Sequence, residues 1–366
     1  MQNKEKEPLV HIVRQLVPPK HAWLIRLIAV ALALLVCALF AYLSIGISPI
    51  AMYGTMLRGA FGGSLYIAET LAYATKLLLI AVALAPAFRM RFWNIGGEGQ
   101  VLAGALGTAI IMVKLGDKVP AVVLFILMAL TAVLAGMVWG FVPAFFKARF
   151  NTNETLFTLM MNYVAMQLVD FYYNKWRGVA SSLGKLNKAS RAGWFPLVLG
   201  HRYTIGIILI LVIAVLMYFY MTKTKQGYEI AVVGESTNTA RYAGIDVKKV
   251  TIRTMILSGA LCGLCGFLTV SGQDQTISTT TAGGYGFTAL IVAWLAKFNT
   301  LSMIFISILI VALEKGTRLI ADSYANFSDS ASSIVVGIIL FFVIGSEFFI
   351  RYKLIWRKKN AAKEEV

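Results

Sequence analysis

The sequence contains apolar runs that are long enough to cross a lipid bilayer, and these runs constrain its fold more than any other feature. Residues 23–47 read WLIRLIAVALALLVCALFAYLSIGI and carry a single charge, Arg26, near one end, where its side chain can reach the membrane interface. A membrane-spanning helix needs roughly 20 predominantly apolar residues. The run is too long for a secretory signal peptide, and no cleavage site of small residues follows it. We therefore predict that residues 23–47 span a membrane.

Further apolar runs follow, separated by polar breaks, and they predict ten spans in all. Hydrophobic residues make up 58% of the chain, against about 45–50% in soluble domains. We predict an all-α polytopic membrane protein with about ten transmembrane helices over residues 23–350, flanked by cytoplasmic segments at 1–22 and 351–366. Two of the runs are short for a bilayer of about 30 Å, so eight to eleven spans are expected. The predicted spans are 23–47, 67–88, 98–115, 120–146, 155–173, 204–222, 252–272, 285–297, 301–319 and 333–350.

The excess of basic residues indicates how the spans are oriented. The chain has 34 Lys and Arg against 17 Asp and Glu, a net charge of +17. In a soluble protein such an excess can indicate nucleic-acid binding, but here the basic residues flank the apolar runs, so no nucleic-acid partner is expected. With both termini in the cytoplasm, 22 basic residues lie inside and 11 outside, as the positive-inside rule favours. This orientation makes 223–251 an inner loop and 174–203 an outer loop, although the outer loop carries six basic and no acidic residues.

Residue types typical of catalysis and metal binding are scarce. The cysteines form no disulfide framework, and Cys262 and Cys265 make a CxxC inside an apolar run without a second ligand pair, so we interpret them as packing residues. The chain contains no phosphate-binding loop, no HExxH and no dinucleotide fingerprint after a strand. We expect no catalytic residue, no metal and no cofactor bound by this chain. Energy for transport would come from an ion gradient or from another polypeptide.

The stretch FWNIGGEGQ, residues 92–100, places three glycines, a glutamate and a glutamine between two apolar runs. Glycine weakens helices, and irregular backbone at membrane depth persists only where protein or a water-filled cavity surrounds it. Broken helices of this kind line the substrate path of transporters, and Glu98 and Gln100 would then face a cavity or pair internally. The alternative is that the glycines allow close helix packing, with Glu98 held by Lys76 or Asn94. The spacing does not separate the two interpretations.

Two later segments also combine polar residues with glycines between apolar runs. In the inner loop, Ser236 is a good N-cap for a short helix through Tyr242, and Gly244 can end that helix. A short surface helix between two spans suits either an ordinary connector or a rigid element that an external motor can push. The segment SGQDQTISTTTAGGYGF ends in paired glycines before a short apolar run. Gly-interrupted spans in both halves are the pattern expected of inverted structural repeats.

Three separated motifs give this chain a family resemblance. NIGGEGQ resembles the NIGxEGQ signature of the membrane subunits of bacterial ABC importers for nucleosides and simple sugars, within the branched-chain amino acid and ribose permease family. VVGESTNTARYAGIDVKK, residues 232–249, resembles that family's cytoplasmic loop GxNxxAARYAGI. GGYGFTALIVAWLAKFNT, residues 283–300, resembles GxGFxAIAVALLGxNxP but departs from it at Trp294, at Ala296-Lys297 and at Leu301. The matches lie in the family's order and span most of residues 65–350.

The resemblance implies a permease subunit with a fold like that of type II ABC importers, including short broken helices, in a bacterial plasma membrane. The implied partners are a cytoplasmic ATPase that uses ATP and Mg, a second permease subunit that is a different homologous chain, an extracytoplasmic solute-binding lipoprotein and membrane lipid. Nucleosides are the implied substrate class, followed by simple sugars. The alternative is a secondary transporter driven by protons or sodium, with Glu98, Asp274 or Lys76 as coupling groups.

The motifs also imply two groups of functional residues. The expected substrate-path residues are Phe92, Trp93, Asn94, Gly96, Gly97, Glu98, Gly99, Gln100, Gly283, Gly284, Tyr285 and Phe287. The expected ATPase-coupling residues are Gly234, Ser236, Asn238, Ala240, Arg241, Tyr242, Ala243, Gly244 and Asp246.

Overall fold

The computed structural model describes residues 10–15, 18–324 and 327–356. The predicted terminal segments 1–22 and 351–366 lie in part outside these residues. A two-stranded sheet pairs β1 (Val10–Arg14) with β2 (Tyr352–Trp356), and a π-helical turn, Thr269–Asp274, continues the tenth helix. The helices are α1 Pro19–Ile45, α2 Pro49–Phe61, α3 Ser64–Arg89, α4 Gly97–Leu115, α5 Ala121–Phe150, α6 Glu154–Arg177, α7 Thr204–Lys223, α8 Lys225–Glu235, α9 Thr237–Tyr242, α10 Val247–Leu268, α11 Tyr285–Leu295, α12 Thr300–Ser323 and α13 Asp329–Arg351.

The predicted helical membrane architecture is confirmed, but the count of ten spanning helices is not. Within the described residues, seven helices are long and apolar enough to cross a membrane: α1, α3, α4, α5, α7, α10 with its π-helical turn, and α13. Helices α6 and α12 have 24 residues each but do not join this group. Helix α11 has 11 residues, about 17 Å at 1.5 Å per residue, so it cannot cross a bilayer alone. Helices α2 and α8 and the small sheet are not among the elements that the sequence predicts.

One compact unit comprises the described parts of residues 1–66 and 312–366. Helices α1 and α13 pack together in it, around a core that includes Cys37, Met52 and Phe327. Arg26 does not simply reach the interface: its Nη2 atom lies 2.6 Å from Glu347 Oε1. The antiparallel strands β1 and β2 pair from Val10 opposite Trp356 to Arg14 opposite Tyr352.

The second unit, residues 67–311, contains the segments that carry the motifs. Helix α10 packs along α4 and α5 through small residues, as is typical of membrane helices. The approach of α5 and α10 is close at Gly136, where an added Cβ would lie 2.1 Å from the carbonyl oxygen of Gly259. Cys262 and Cys265 are buried in α10, in agreement with a packing role.

Candidate functional site

The first turn of α4 lies inside the bundle, beside the middle of the 28-residue helical stretch Val247–Asp274. Two contacts give this depth. Asn94 Nδ2 donates to Ser258 Oγ at 3.3 Å, and Gly104 packs directly against Gly263. Residues 92–96, which precede α4, are not helical. The predicted break in the third span is therefore present, and it lies inside the helix bundle.

Glu98, in the first turn of α4, joins this break to the start of α11. Its Oε1 atom accepts a hydrogen bond from the Gly284 N–H, and its Oε2 atom accepts one from the Gly286 N–H, both at 2.8 Å. The first N–H groups of a helix lack partners within the helix, and a carboxylate there satisfies them and complements the helix dipole. Glu98 is only 3% exposed. Two segments that are 186 residues apart in sequence thus meet at one buried carboxylate.

The backbone around this contact leaves no room for larger side chains. A Cβ atom on Gly286 would lie 2.3 Å from the backbone nitrogen of Glu98. Gly284, the N-cap of α11, has φ +74°, a conformation that side chains other than glycine's rarely adopt. Paired glycines before α11 are therefore needed for the geometry that Glu98 stabilises.

The predicted partners of Glu98 are wrong, because the carboxylate binds backbone N–H groups and neither Lys76 nor Asn94. Lys76 is buried and its Nζ atom donates to the Thr281 carbonyl oxygen at 2.6 Å. The same ammonium lies 5.6 Å from the centre of the Tyr285 ring. Lys76 and Glu98 therefore hold neighbouring parts of the segment that leads into α11.

Helix α6 supplies hydrogen bonds to the non-helical segment, a contribution that was not predicted from the sequence. The Ile95 N–H donates to Thr158 Oγ1 at 3.2 Å. Asn162 accepts from the Gly99 N–H at 2.8 Å and donates to the Ile95 carbonyl oxygen at 2.9 Å. An asparagine inside the apolar run 155–173 was the available signal, because polar residues within a span usually have a partner.

The packing interpretation of the glycines is confirmed, and the interpretation of the break as part of a substrate path stays a prediction. A Cβ on Gly97 would lie 3.0 Å from Leu84 Cδ1, and one on Gly99 would lie 2.8 Å from Asn162 Oδ1. These glycines allow close packing, and the segment before them is also broken. Asn94 and Gln100 are buried and face each other, with Gln100 Nε2 3.5 Å from Asn94 Oδ1.

The expected substrate-path residues divide into a buried and an exposed group. Trp93 and Phe287 are each 44% exposed, and Trp294, which was not among the expected residues, is 43% exposed. Gly283 and Gly284 are exposed as well. The others, Phe92, Asn94, Gly96, Gly97, Glu98, Gly99, Gln100 and Tyr285, are buried. The exposed group can contact a ligand directly, and the buried group can position it.

A cleft lies where α3, α8 and α11 end. The indole rings of Trp93 and Trp294 are stacked, with centroids 5.5 Å apart and an angle of 18° between their planes. Phe88 packs edge-on against Trp93, and Phe298 packs edge-on against Trp294. The cleft has a volume of about 430 Å³ and is lined by these four rings together with Arg89, Arg91, Ala231, Gly234 and Glu235.

The second group of expected residues forms the short helix α9. Ser236 Oγ accepts from the Thr239 N–H at 3.2 Å, so Ser236 caps the helix as predicted. Gly244 follows the helix with φ +75°, and its N–H donates to the Arg241 carbonyl oxygen at 3.0 Å. Both predicted ends of the helix are confirmed.

Two further residues of this group, Ala240 and Gly234, have structural roles within the chain. Ala240 is fully buried against a core that includes Met90 and Ile230, so it cannot seat in a groove of another protein. Gly234 is also buried and packs against the Arg89 carbonyl group.

Asp246 was expected to orient a partner at the rim of this segment, but it caps α10. Its carboxylate accepts from the N–H groups of Lys249 and Lys248. The hydrogen bond from the Lys249 backbone is the main cause that lowers the pKa of Asp246. Asp246 is exposed nonetheless, and so are Asn238, Arg241, Tyr242, Ala243 and Gly244 of the expected residues.

Three of the six basic residues of loop 174–203 contact other residues of the chain. The Arg177 guanidinium lies 5.9 Å from the centre of the Tyr173 ring; the other two are Lys185 and Arg202. Lys185 Nζ donates to Gln275 Oε1 at 2.9 Å. The cations of Lys185 and Arg202 lie 5.4 Å and 5.2 Å from the centre of the Trp194 ring. Within the described residues, no group of three or more His, Cys, Asp or Glu side chains could hold a metal ion.

Comparison with known proteins gives a family match and several similar proteins. Residues 66–344 match the model of the family described as branched-chain amino acid transport system permease component. The chain is 33% identical to the guanosine ABC transporter permease protein NupP of Bacillus subtilis, over 93% of this chain and 97% of NupP. It is 28% identical to the glucose ABC transporter permease protein TsgB13 of Haloferax volcanii, over 86% and 85% of the two chains. It is also 28% identical to the nucleoside ABC transporter permease protein NupB of Lactococcus lactis, over 93% and 95%.

Proposed function

The chain belongs to the family of branched-chain amino acid transport system permease components, and from this membership we propose that it is the permease subunit of an ATP-driven importer of nucleosides. The similar proteins NupP and NupB are nucleoside permeases by name and match nearly the whole chain. The sequence has no phosphate-binding loop, so a partner ATPase supplies the energy and binds the ATP and Mg. This chain itself carries out no catalysis.

The observation that carries the proposal is the meeting of two interrupted helices at Glu98. Helix α4 begins inside the bundle, and α11 begins beside it with its first N–H groups bound by the Glu98 carboxylate. Interrupted helices that meet near the middle of the membrane mark the substrate path of transporters.

The exposed side of α11 continues from this meeting point towards the cleft. Phe287 and Trp294 are seven residues apart, so they lie on the same face of the helix, and both are exposed. Trp294 stacks on Trp93 at the cleft. Aromatic faces suit the flat ring of a nucleobase, and we propose that the substrate passes along this face.

A simple sugar is the second candidate substrate, because the glucose permease TsgB13 is also similar to this chain. Sugar rings pack on aromatic side chains as well, so the exposed face of α11 is compatible with both classes.

The proposed assembly has three further protein components. An ATPase binds the exposed face of α9, where Arg241, Tyr242 and Ala243 are accessible. A second, homologous but different permease chain completes the path. A solute-binding lipoprotein docks outside on loop 174–203, whose remaining basic residues can attract an acidic surface. Lipid surrounds the exposed apolar helix faces.

We place the protein in a bacterial plasma membrane with both termini in the cytoplasm. Pairing of β1 with β2 supports this topology, because paired strands lie on one side of the membrane. An even number of passes must therefore separate Arg14 from Tyr352. Ten passes satisfy this condition if α4 with residues 90–96, and α11 with residues 275–284, each count as one.

Transport assays in proteoliposomes test the proposal. The complete complex should take up guanosine only with ATP inside, at a rate that proton and sodium gradients do not change. Competition between guanosine and glucose decides between the two substrate classes. Uptake by the purified chain alone, driven by an ion gradient, would show instead a secondary transporter.

A further inference from the structure

The cleft at the ends of α3, α8 and α11 contains charged groups that have no partner among the described residues. The cleft is lined by Arg89, Arg91 and Glu235. None of these residues takes part in the four ion pairs that the described residues form. Arg89 is half-buried. Arg91 and Glu235 are exposed at the cleft, so their charged groups are accessible to a ligand that enters it.

The position of Arg91 is unusual for its residue type. It follows the end of α3 with φ +62°, in the left-handed conformation that glycine most often supplies at the end of a helix. The Arg91 N–H donates to the Phe88 carbonyl oxygen at 2.9 Å, which fixes this turn. The chain thus places a guanidinium at the cleft where a residue without a side chain would fit the backbone better.

The aromatic rings and the charged groups of the cleft together match the chemistry of a nucleobase. Trp93 and Trp294 stack on each other and line the cleft, and each is partly exposed, so a planar ring can pack against them. A guanidinium donates two hydrogen bonds to the O6 and N7 acceptors of guanine. A carboxylate can accept hydrogen bonds from the N–H groups on the opposite edge of guanine. Adenine does not have this set of N–H groups on the corresponding edge. The volume of about 430 Å³ lies in the range of small-molecule sites.

We propose that this cleft is a binding site for a guanine-type nucleoside, occupied after the substrate has left the middle of the membrane. Trp93 and Trp294 contact the base, Arg91 contacts its acceptor edge and Glu235 its donor edge. The inference rests on the proposed nucleoside transport, and it extends it by assigning a second, inner site and a base preference. Since the cleft adjoins α8, which leads into α9, its occupancy lies next to the proposed contact with the ATPase.

Equilibrium dialysis with radiolabelled guanosine and adenosine tests this site. The sample is the detergent-solubilised complex of permease subunits and ATPase, without the solute-binding protein. Wild-type complex should bind guanosine saturably and more tightly than adenosine. Glu235→Gln should weaken guanosine binding about tenfold, the effect expected for loss of a good base-edge contact, and change adenosine binding less than about twofold. Arg91→Met, which removes the hydrogen-bond donors, should weaken both, because both bases present the N7 acceptor.

The matched control is Asp117→Asn, the same loss of a carboxylate in an exposed turn between α4 and α5. It should leave both affinities unchanged. Because Glu235 and Arg91 are exposed, their variants should assemble normally, which size-exclusion chromatography verifies. The site is refuted if guanosine does not bind, or if Glu235→Gln changes the two affinities equally. It is also refuted if Glu235→Gln reduces capture of the ATPase while base binding is unchanged, since the cleft would then serve the partner.

Uptake by the same preparations separates this inference from the proposed function. Guanosine import by a wild-type complex that shows no dialysis signal would refute the inner site and leave the importer proposal intact. Absence of nucleoside import under any condition would refute the importer proposal, and the inner site with it.

Discussion

At the scale of single residues, Glu98 has the most consequential contacts in the chain. Its two carboxylate oxygens bind two backbone N–H groups on a helix that the sequence places far away. Hydrogen bonds to charged groups contribute roughly 1.5–3 kcal/mol each. A carboxylate has two acceptor oxygens, whereas an amide has one, so the site is sensitive to replacement by the otherwise similar glutamine.

We expect Glu98→Gln to impair transport more than assembly. The new NH₂ group would face a backbone N–H, so one hydrogen bond is lost at the start of α11. A loss of about 1.4 kcal/mol in the transporting conformation corresponds to a tenfold lower rate. ATP-driven uptake should therefore fall by about tenfold or more, while the amount of protein in the membrane stays within about twofold. The Asp117→Asn variant serves as the control, and wild-type uptake by Glu98→Gln would show that the carboxylate is dispensable.

At the scale of elements, α9 shows that two neighbouring alanines have different roles. Ala240 is buried in the chain's own core, and Ala243 is exposed just beyond the last turn of the helix. Overpacking a core costs typically 1–3 kcal/mol, whereas bulk on an exposed surface acts only on a partner. Substitutions at Ala240 and Ala243 therefore distinguish an effect on the stability of the permease from an effect on ATPase docking.

Substitution by tryptophan at each position tests this difference. Ala240→Trp should lower the midpoint of thermal unfolding of the purified permease. Ala243→Trp should leave that midpoint unchanged and reduce capture of the ATPase in a pull-down at least about fivefold, because a large ring prevents close approach. Ala189→Trp, in exposed residues of loop 174–203, should affect neither measurement. Normal ATPase capture and uptake by Ala243→Trp would place the docking site elsewhere.

The elements also show which features the sequence predicts and which it does not. Apolar runs located the long helices, and the local signals at Ser236 and Gly244 located both ends of α9, because these features depend on neighbouring residues. The contact of Glu98 with α11 depends on chain folding over 186 residues, and no local pattern encodes it. A helix of six residues is too short for its periodicity to show which side is buried, so the sequence did not predict that Ala240 is buried.

At the scale of the whole molecule, the proposed orientation assigns loop 174–203 and α9 to opposite sides of the membrane. Helix α7 separates them and has 20 residues, about 30 Å at 1.5 Å per residue, which matches the thickness of a bilayer core. The charge count alone leaves some conflict, because loop 174–203 is basic and is nevertheless placed outside.

Cysteine labelling resolves this conflict, and the chain is well suited to it. Its three native cysteines, Cys37, Cys262 and Cys265, are all buried, so a membrane-impermeant maleimide should react little with the wild-type protein. Ala189→Cys and Asn238→Cys each introduce one thiol at an exposed position, the first in loop 174–203 and the second in α9. In intact cells, or spheroplasts if an outer membrane is present, only Ala189→Cys should be labelled. In inside-out vesicles only Asn238→Cys should be labelled. The reverse pattern would place α9 outside, beyond the reach of any cytoplasmic ATPase.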